Sequence, residues 1–70
     1  MSIRLYKDRL VVWTVLHDKQ TDSWKPAITV SWTVDRKYKF HRFNGLPQTS
    51  HAAALALGKQ LAEAWVDKEQ

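Results

Sequence analysis

The chain has no cysteine, so a disulfide framework and a thiolate metal site are both excluded, and the composition fits a reducing compartment. Glycine and proline occur twice each and methionine once, which leaves few breakers and rules out a low-complexity or collagen-like chain. Long apolar runs are also missing. Arg4, Lys7, Asp8 and Arg9 interrupt the start of the chain, so neither a signal peptide nor a membrane span is expected, and the expected location is cytoplasmic.

Aromatic residues are plentiful by contrast. Four tryptophans, two tyrosines and two phenylalanines stand among 70 residues. A chain this short forms a single domain, residues 1–70, that buries only about 60% of its unfolded surface. Large rings compensate, since each can bury on the order of 150–250 Å². The net charge is +4 and unevenly spread: residues 1–49 hold nine Lys/Arg against four Asp, and residues 50–70 hold two Lys against three acids. Such a surface attracts phosphate polymers, although modest positive charge also serves solubility alone.

The organising stretch is 38–67: a basic-aromatic strand, a turn and an alanine-rich helix. In K-Y-K-F-H-R-F, Tyr38 and Phe40 alternate with Lys37, Lys39 and His41, the period of two of a strand with one apolar and one wet face. That alternation assigns Tyr38 and Phe40 to the core. Asn44-Gly45-Leu46-Pro47 ends the strand, because Gly tolerates positive φ and Pro cannot donate to a ladder. Thr49 is the preferred N-cap and Ser50 the competitor. From Ala52 onward, helical spacing gathers Ala54, Leu57, Gly58, Leu61, Ala62 and Trp65 into one stripe, opposite Lys59, Gln60, Glu63 and Asp67. Gly58 in that stripe implies a close approach of helix to sheet or a merely tolerated glycine.

Earlier in the chain, residues 3–6 form either a short strand or a frayed terminus, with Lys7-Asp8-Arg9 as a turn. The run 10–16, L-V-V-W-T-V-L, is apolar in both alternating rows, which marks a strand covered on both faces. Residues 17–25 are polar and read as an exposed hairpin loop. Trp24 in that loop either folds over the core edge or acts in recognition. In 27–34, Ile28, Val30, Trp32 and Val34 alternate with Thr29, Ser31 and Thr33, and Asp35-Arg36 makes a tight turn into an antiparallel partner. Pro26 stands at the strand entrance, where a missing donor is harmless.

The expected fold is α+β: a three- or four-stranded antiparallel sheet with one C-terminal helix on one face. The other face is left to solvent or a partner, and alternation assigns to it Thr29, Ser31, Thr33, Lys37, Lys39 and His41. One apolar row joins them, either Leu10, Val12 and Leu16 or the row containing Trp13.

Two functions follow. The first is a non-enzymatic module that forms a homodimer through the helix-free face or a sheet edge. The second is binding of DNA or RNA, with Arg36, Lys37, Lys39 and Arg42 on phosphates, joined by Arg4, Arg9 or Lys25, His41 beside them, and Trp13 or Trp24 stacking on bases. An enzyme is not expected: His17, His41 and His51 lack metal-ligand spacing, no Gly-rich phosphate loop occurs, and no Ser/His/carboxylate group stands out. No cofactor, metal or small-molecule substrate is expected either.

The run 40–67, with F-N-G-L-P, a Thr cap, an alanine-rich helix and the closing W-V-D, resembles the C-terminal part of small uncharacterised bacterial proteins. That resemblance implies a sheet-plus-helix domain. The order of three strands and a helix, with Thr49 and Ala52-Ala53 opening the helix, is also similar to plant ethylene-response-factor DNA-binding domains and the arm-binding domains of phage-type integrases. This similarity implies a sheet face that enters a DNA groove. Thr29, Ser31 and Thr33 stand here where a groove reader would place arginine.

Overall fold

Two-residue turns and one four-residue turn fold residues 2–44 into a meander. The computed structural model describes residues 2–69. Its strands are β1 (Ser2–Tyr6), β2 (Arg9–Asp18), β3 (Ser23–Val34) and β4 (Lys37–Asn44), followed by helix α1 (His51–Glu69). The sheet is antiparallel in the order β1-β2-β3-β4. The N-terminal stretch is therefore a paired strand, and the sheet has four strands.

Turns set the registers. Lys7-Asp8 and Asp35-Arg36 are two-residue connections in which all four residues have positive φ, between 49° and 64°. This turn geometry matches the twist of the flanking strands, and it is reached here without glycine. At the third connection, Asp18 Oδ1 accepts from the Gln20 amide at 3.0 Å and Asp22 adopts φ 51°. This side-chain turn shortens the expected loop to residues 19–22 and pairs Asp18 with Ser23. The polar flanks of that loop thus belong to the strands.

Opposite residues on paired strands share a face. Val11 lies opposite Val30, and Trp13 opposite Ile28; all four are buried beneath α1. The Leu10, Val12 and Leu16 row therefore points away from the helix. The buried line of α1 is Ala54, Gly58, Ala62 and Val66, spaced by four along one face. Small residues let the helix lie close on the sheet. A Cβ on Gly58 would stand 2.9 Å from Trp13 Cδ1, so the close approach is real and the indole ring fills the space.

Other local expectations need correction. Ser50, not Thr49, caps the helix: its Oγ accepts from the Ala53 amide at 3.1 Å, and its carbonyl accepts from Ala54. The helix begins one residue later than the Thr49 reading requires, and Ser50 then occupies the position whose oxygen reaches the first-turn amides. Gly45 has no positive φ. It is needed because a Cβ there would come within 2.7 Å of both Leu61 and Pro26. Pro26 is paired within β3, opposite Val15, and its carbonyl accepts from the Gly45 amide at 2.9 Å. A strand residue's N–H and C=O point to the same side, so the missing donor falls where β4 has already ended.

Charge fastens the first strand to the helix. Arg4 Nη1 lies 3.0 Å from Glu63 Oε2. Lys7 Nζ lies 2.6 Å from Asp67 Oδ1, and the Tyr6 hydroxyl donates to the same carboxylate at 3.1–3.2 Å. The Lys7 hydrogen bond, helped by Tyr6, holds the Asp67 carboxyl below its ordinary range against the opposing effect of desolvation. Hydrogen bonding to Asp67 raises Lys7 in turn. Tyr6 is also raised, by desolvation first and then by the carboxylate.

Candidate functional site

The two-residue turn at Asp35-Arg36 places Val34 opposite Lys37, and the pairing continues as Thr33 with Tyr38, Trp32 with Lys39, Ser31 with Phe40, Val30 with His41 and Thr29 with Arg42. Val30 and Trp32 face the helix, so Lys37, Lys39 and His41 do as well. This corrects the expected face of β4. His41 lies flat on Trp65 of the helix, with ring centroids 4.8 Å apart and planes at 11°. Tyr38 and Phe40, expected in the core, stand on the helix-free side and are 68% and 55% exposed. The turn wins because burying those rings would need a register shifted by one residue, and the two-residue Asp35-Arg36 connection with both residues at positive φ fixes Val34 opposite Lys37.

The helix-free face can now be drawn row by row. Leu5, Leu10, Ser31 and Phe40 lie side by side across the four strands, and Ile3, Val12, Thr29 and Arg42 form the next row. Tyr38 extends the apolar surface at one end and Leu16 at the other. Ile3 and Leu5 are 65% and 69% exposed, and Leu16 is 52% exposed. Along β3 the residues on this face are small: Ala27, Thr29, Ser31 and Thr33. They form the floor of a trough between a β2 ridge and a β4 ridge. Ser31 is only 6% exposed although no helix covers it, and a hollow of about 320 Å³ opens beside Leu5, Leu10, Ser31 and Tyr38.

Basic groups are divided between the faces. Arg4, Arg9, Lys37 and Lys39 belong to the helix side, Lys25 and Arg42 to the free side, and Arg36 to a turn. The expected continuous cationic surface is therefore split by the thickness of the sheet. On the free side, the Tyr38 and Phe40 rings lie 6.0 Å apart, and the Arg42 guanidinium sits 5.2 Å from the Phe40 centroid.

The two tryptophans singled out for stacking are both engaged. Trp13 is 8% exposed under Gly58, so it has no face to offer a base. Trp24 lies between two histidines, stacked on His17 at 4.0 Å and edge-on to His51 at 5.3 Å. Its amide and carbonyl both bond Gln48, at 2.9 and 2.7 Å. Trp24 thus ties β3 to the segment leading into the helix.

The surface that sequence reasoning missed is the Tyr38–Phe40–Leu10–Leu5 patch. Its signal was the length of the 35–36 turn, which sets the facing of every β4 side chain. No family model, curated protein or solved structure matches the chain.

Proposed function

We propose that this chain is a small non-enzymatic interaction module that pairs with a second copy of itself through the helix-free face. The observation that carries the reading is the set of exposed apolar side chains on that face: Ile3, Leu5, Leu10, Tyr38 and Phe40 in adjoining rows, with Leu16 beyond the Thr14–Ala27 row. From their fractional exposures these side chains present roughly 700 Å², above the ~300–600 Å² of the largest patch on an ordinary monomer and close to the ~800 Å² each partner buries in a standard interface.

Shape favours a second copy as the occupant. A β4 or β2 ridge from one molecule fits the β3 trough of another, and a two-fold axis satisfies both molecules with one contact. Two sheets meeting this way lie about 10 Å apart and interdigitate their side chains. Sedimentation at micromolar concentration should report a dimer, and a Leu10→Lys, Phe40→Glu double variant should sediment as a folded monomer. A wild-type chain that remains monomeric at high concentration would overturn the reading.

Nucleic-acid binding is the second reading, favoured by the Tyr38–Phe40 pair with Arg42 beside it, since neighbouring exposed rings on a sheet can stack successive bases. Titration with single-stranded oligonucleotides should then quench tyrosine emission, and affinity should fall steeply with salt. Absence of binding at low salt rules it out.

A further inference from the structure

The sheet has two open edges, and they differ. At one, β1 is short and is clasped to α1 through Arg4 and Lys7. At the other, β4 is exposed at every residue but Phe43, because α1 lies over β2 and β3 instead. The Gly45 amide donates to the Pro26 carbonyl at 2.9 Å, one step beyond the Ala27–Asn44 pair. Bonded pairs alternate along an antiparallel ladder, so Phe43, His41, Lys39 and Lys37 turn their backbone groups to β3. Those of Arg42, Phe40 and Tyr38 point outward. Residues 36–44 hold Arg36, Lys37, Lys39 and Arg42 and no acid. None of these four cations has a carboxylate partner among the described residues. On the helix side, beside Phe43, a hollow of about 400 Å³ opens among Leu46, Leu57 and Leu61.

We propose that the β4 edge takes up an acidic, extended segment of another protein as a fifth strand. Backbone pairing to Tyr38, Phe40 and Arg42 supplies affinity, as sheet edges do for added strands, and the flanking side chains set the sequence. Opposite residues share a face. An antiparallel segment therefore places an apolar side chain opposite Phe43, at the hollow, and acids opposite Arg42, Lys39 and Lys37. A second copy of this chain does not complement that edge. Its β4 sets cations against cations, and its β1 offers Arg4 and no acid; lysines on an edge guard against such pairing of like strands. Nucleic acid has no strand backbone to meet the outward amides and carbonyls. The proposal shares β4 with the self-association reading but uses its backbone edge, and it does not rest on that reading.

The probe is the end-capped peptide Leu-Glu-Thr-Val-Glu-Val-Glu, whose first residue falls opposite Phe43 and its last opposite Lys37. Binding to the full chain should be saturable and should slow hydrogen exchange at the Tyr38, Phe40 and Arg42 amides, leaving those of Lys37, Lys39 and His41 unchanged. N-methylation of its second and fourth residues, opposite Arg42 and Phe40, keeps the charge and removes the pairing. That change should weaken binding at least about tenfold, and alanine in place of the leucine should weaken it several-fold. A Lys37→Glu, Lys39→Glu double variant should lose the probe by about tenfold and regain a version with lysine at its fifth and seventh positions. Equal binding of the N-methylated probe, unaltered exchange at the three amides, or loss in the double variant without that rescue would overturn the proposal. A single-stranded oligonucleotide that binds where the probe does not would overturn it in favour of nucleic acid. Probe binding should persist in Leu10→Lys, which alters the helix-free face and leaves β4 intact, whatever the oligomeric state of that variant, so failure of one reading leaves the other standing.

Discussion

The two sides of the sheet use similar residue types to opposite ends. On the helix side, Val11, Trp13, Ile28 and Val30 are sealed because a line of alanines and Gly58 lets α1 descend onto them. On the other side, Leu5, Leu10 and Phe40 stand in a comparable row with nothing of the described chain across them. Whether an apolar side chain stabilises the monomer depends on what lies opposite it, not on its own hydrophobicity.

The largest expected break in this contrast is Trp13→Ala. Loss of that ring beneath Gly58 should cost roughly 3–5 kcal/mol, a large part of the stability of so small a domain, and urea denaturation followed by circular dichroism would measure it. Next come the turns that hold both faces in register. Asn-Gly in place of Asp35-Arg36 should relieve two left-handed residues and gain about 1 kcal/mol, read as a rise of several degrees in the melting temperature. A fall would show that side-chain contacts of those residues outweigh the backbone.

Phe40→Ser sharpens the comparison from the other side. In the monomer it should change stability by less than about 1 kcal/mol, while weakening self-association in sedimentation. A cost equal to that of Trp13→Ala would mean the free face is covered after all.

The smallest effect concerns the clasp between β1 and the helix. The Asp67 carboxyl is held below its ordinary 3.8, so its contribution is present above that value and disappears as pH falls through the lower folded value. Lys7 is raised above its ordinary 10.5, so its contribution is present below that and disappears as pH rises through the folded value. Asp67→Asn should remove both limbs, leaving a melting temperature that varies less with pH at each extreme. The pair is exposed and the change should be slight.

Much of this was legible beforehand. The α+β class, most of the helix stripe and the 35–36 turn follow from local rules of spacing and turn chemistry, whereas Val66 lay outside the expected stripe and Gly58 left a close approach and a tolerated glycine both open. The facing of β2 was not legible, because a four-residue loop at 19–22 and a loop one residue longer or shorter lead to opposite faces. The Asp18 side-chain turn selects the former. For β4 two rules conflicted: alternation placed Tyr38 and Phe40 inside, and the two-residue turn placed them outside. The turn prevailed, because a two-residue connection admits a single register and two rings can remain at the surface.

Arg9 illustrates the remaining gap. Nothing adjacent to it in the chain predicts that its guanidinium lies on Trp32 with two donors unmet among the described residues, since its neighbours there arrive through two strand pairings and a helix.

By itself, the order of residues determined the kinds of element: three or four pleated segments, a tight turn at 35–36 and a helix with a face of small residues. These depend on interactions within a few positions, where steric limits and periodicity act directly. Only the tertiary structure decided which side of the sheet each row occupies and which charges meet. Those outcomes depend on register, and register is a global quantity that one residue in one turn can invert.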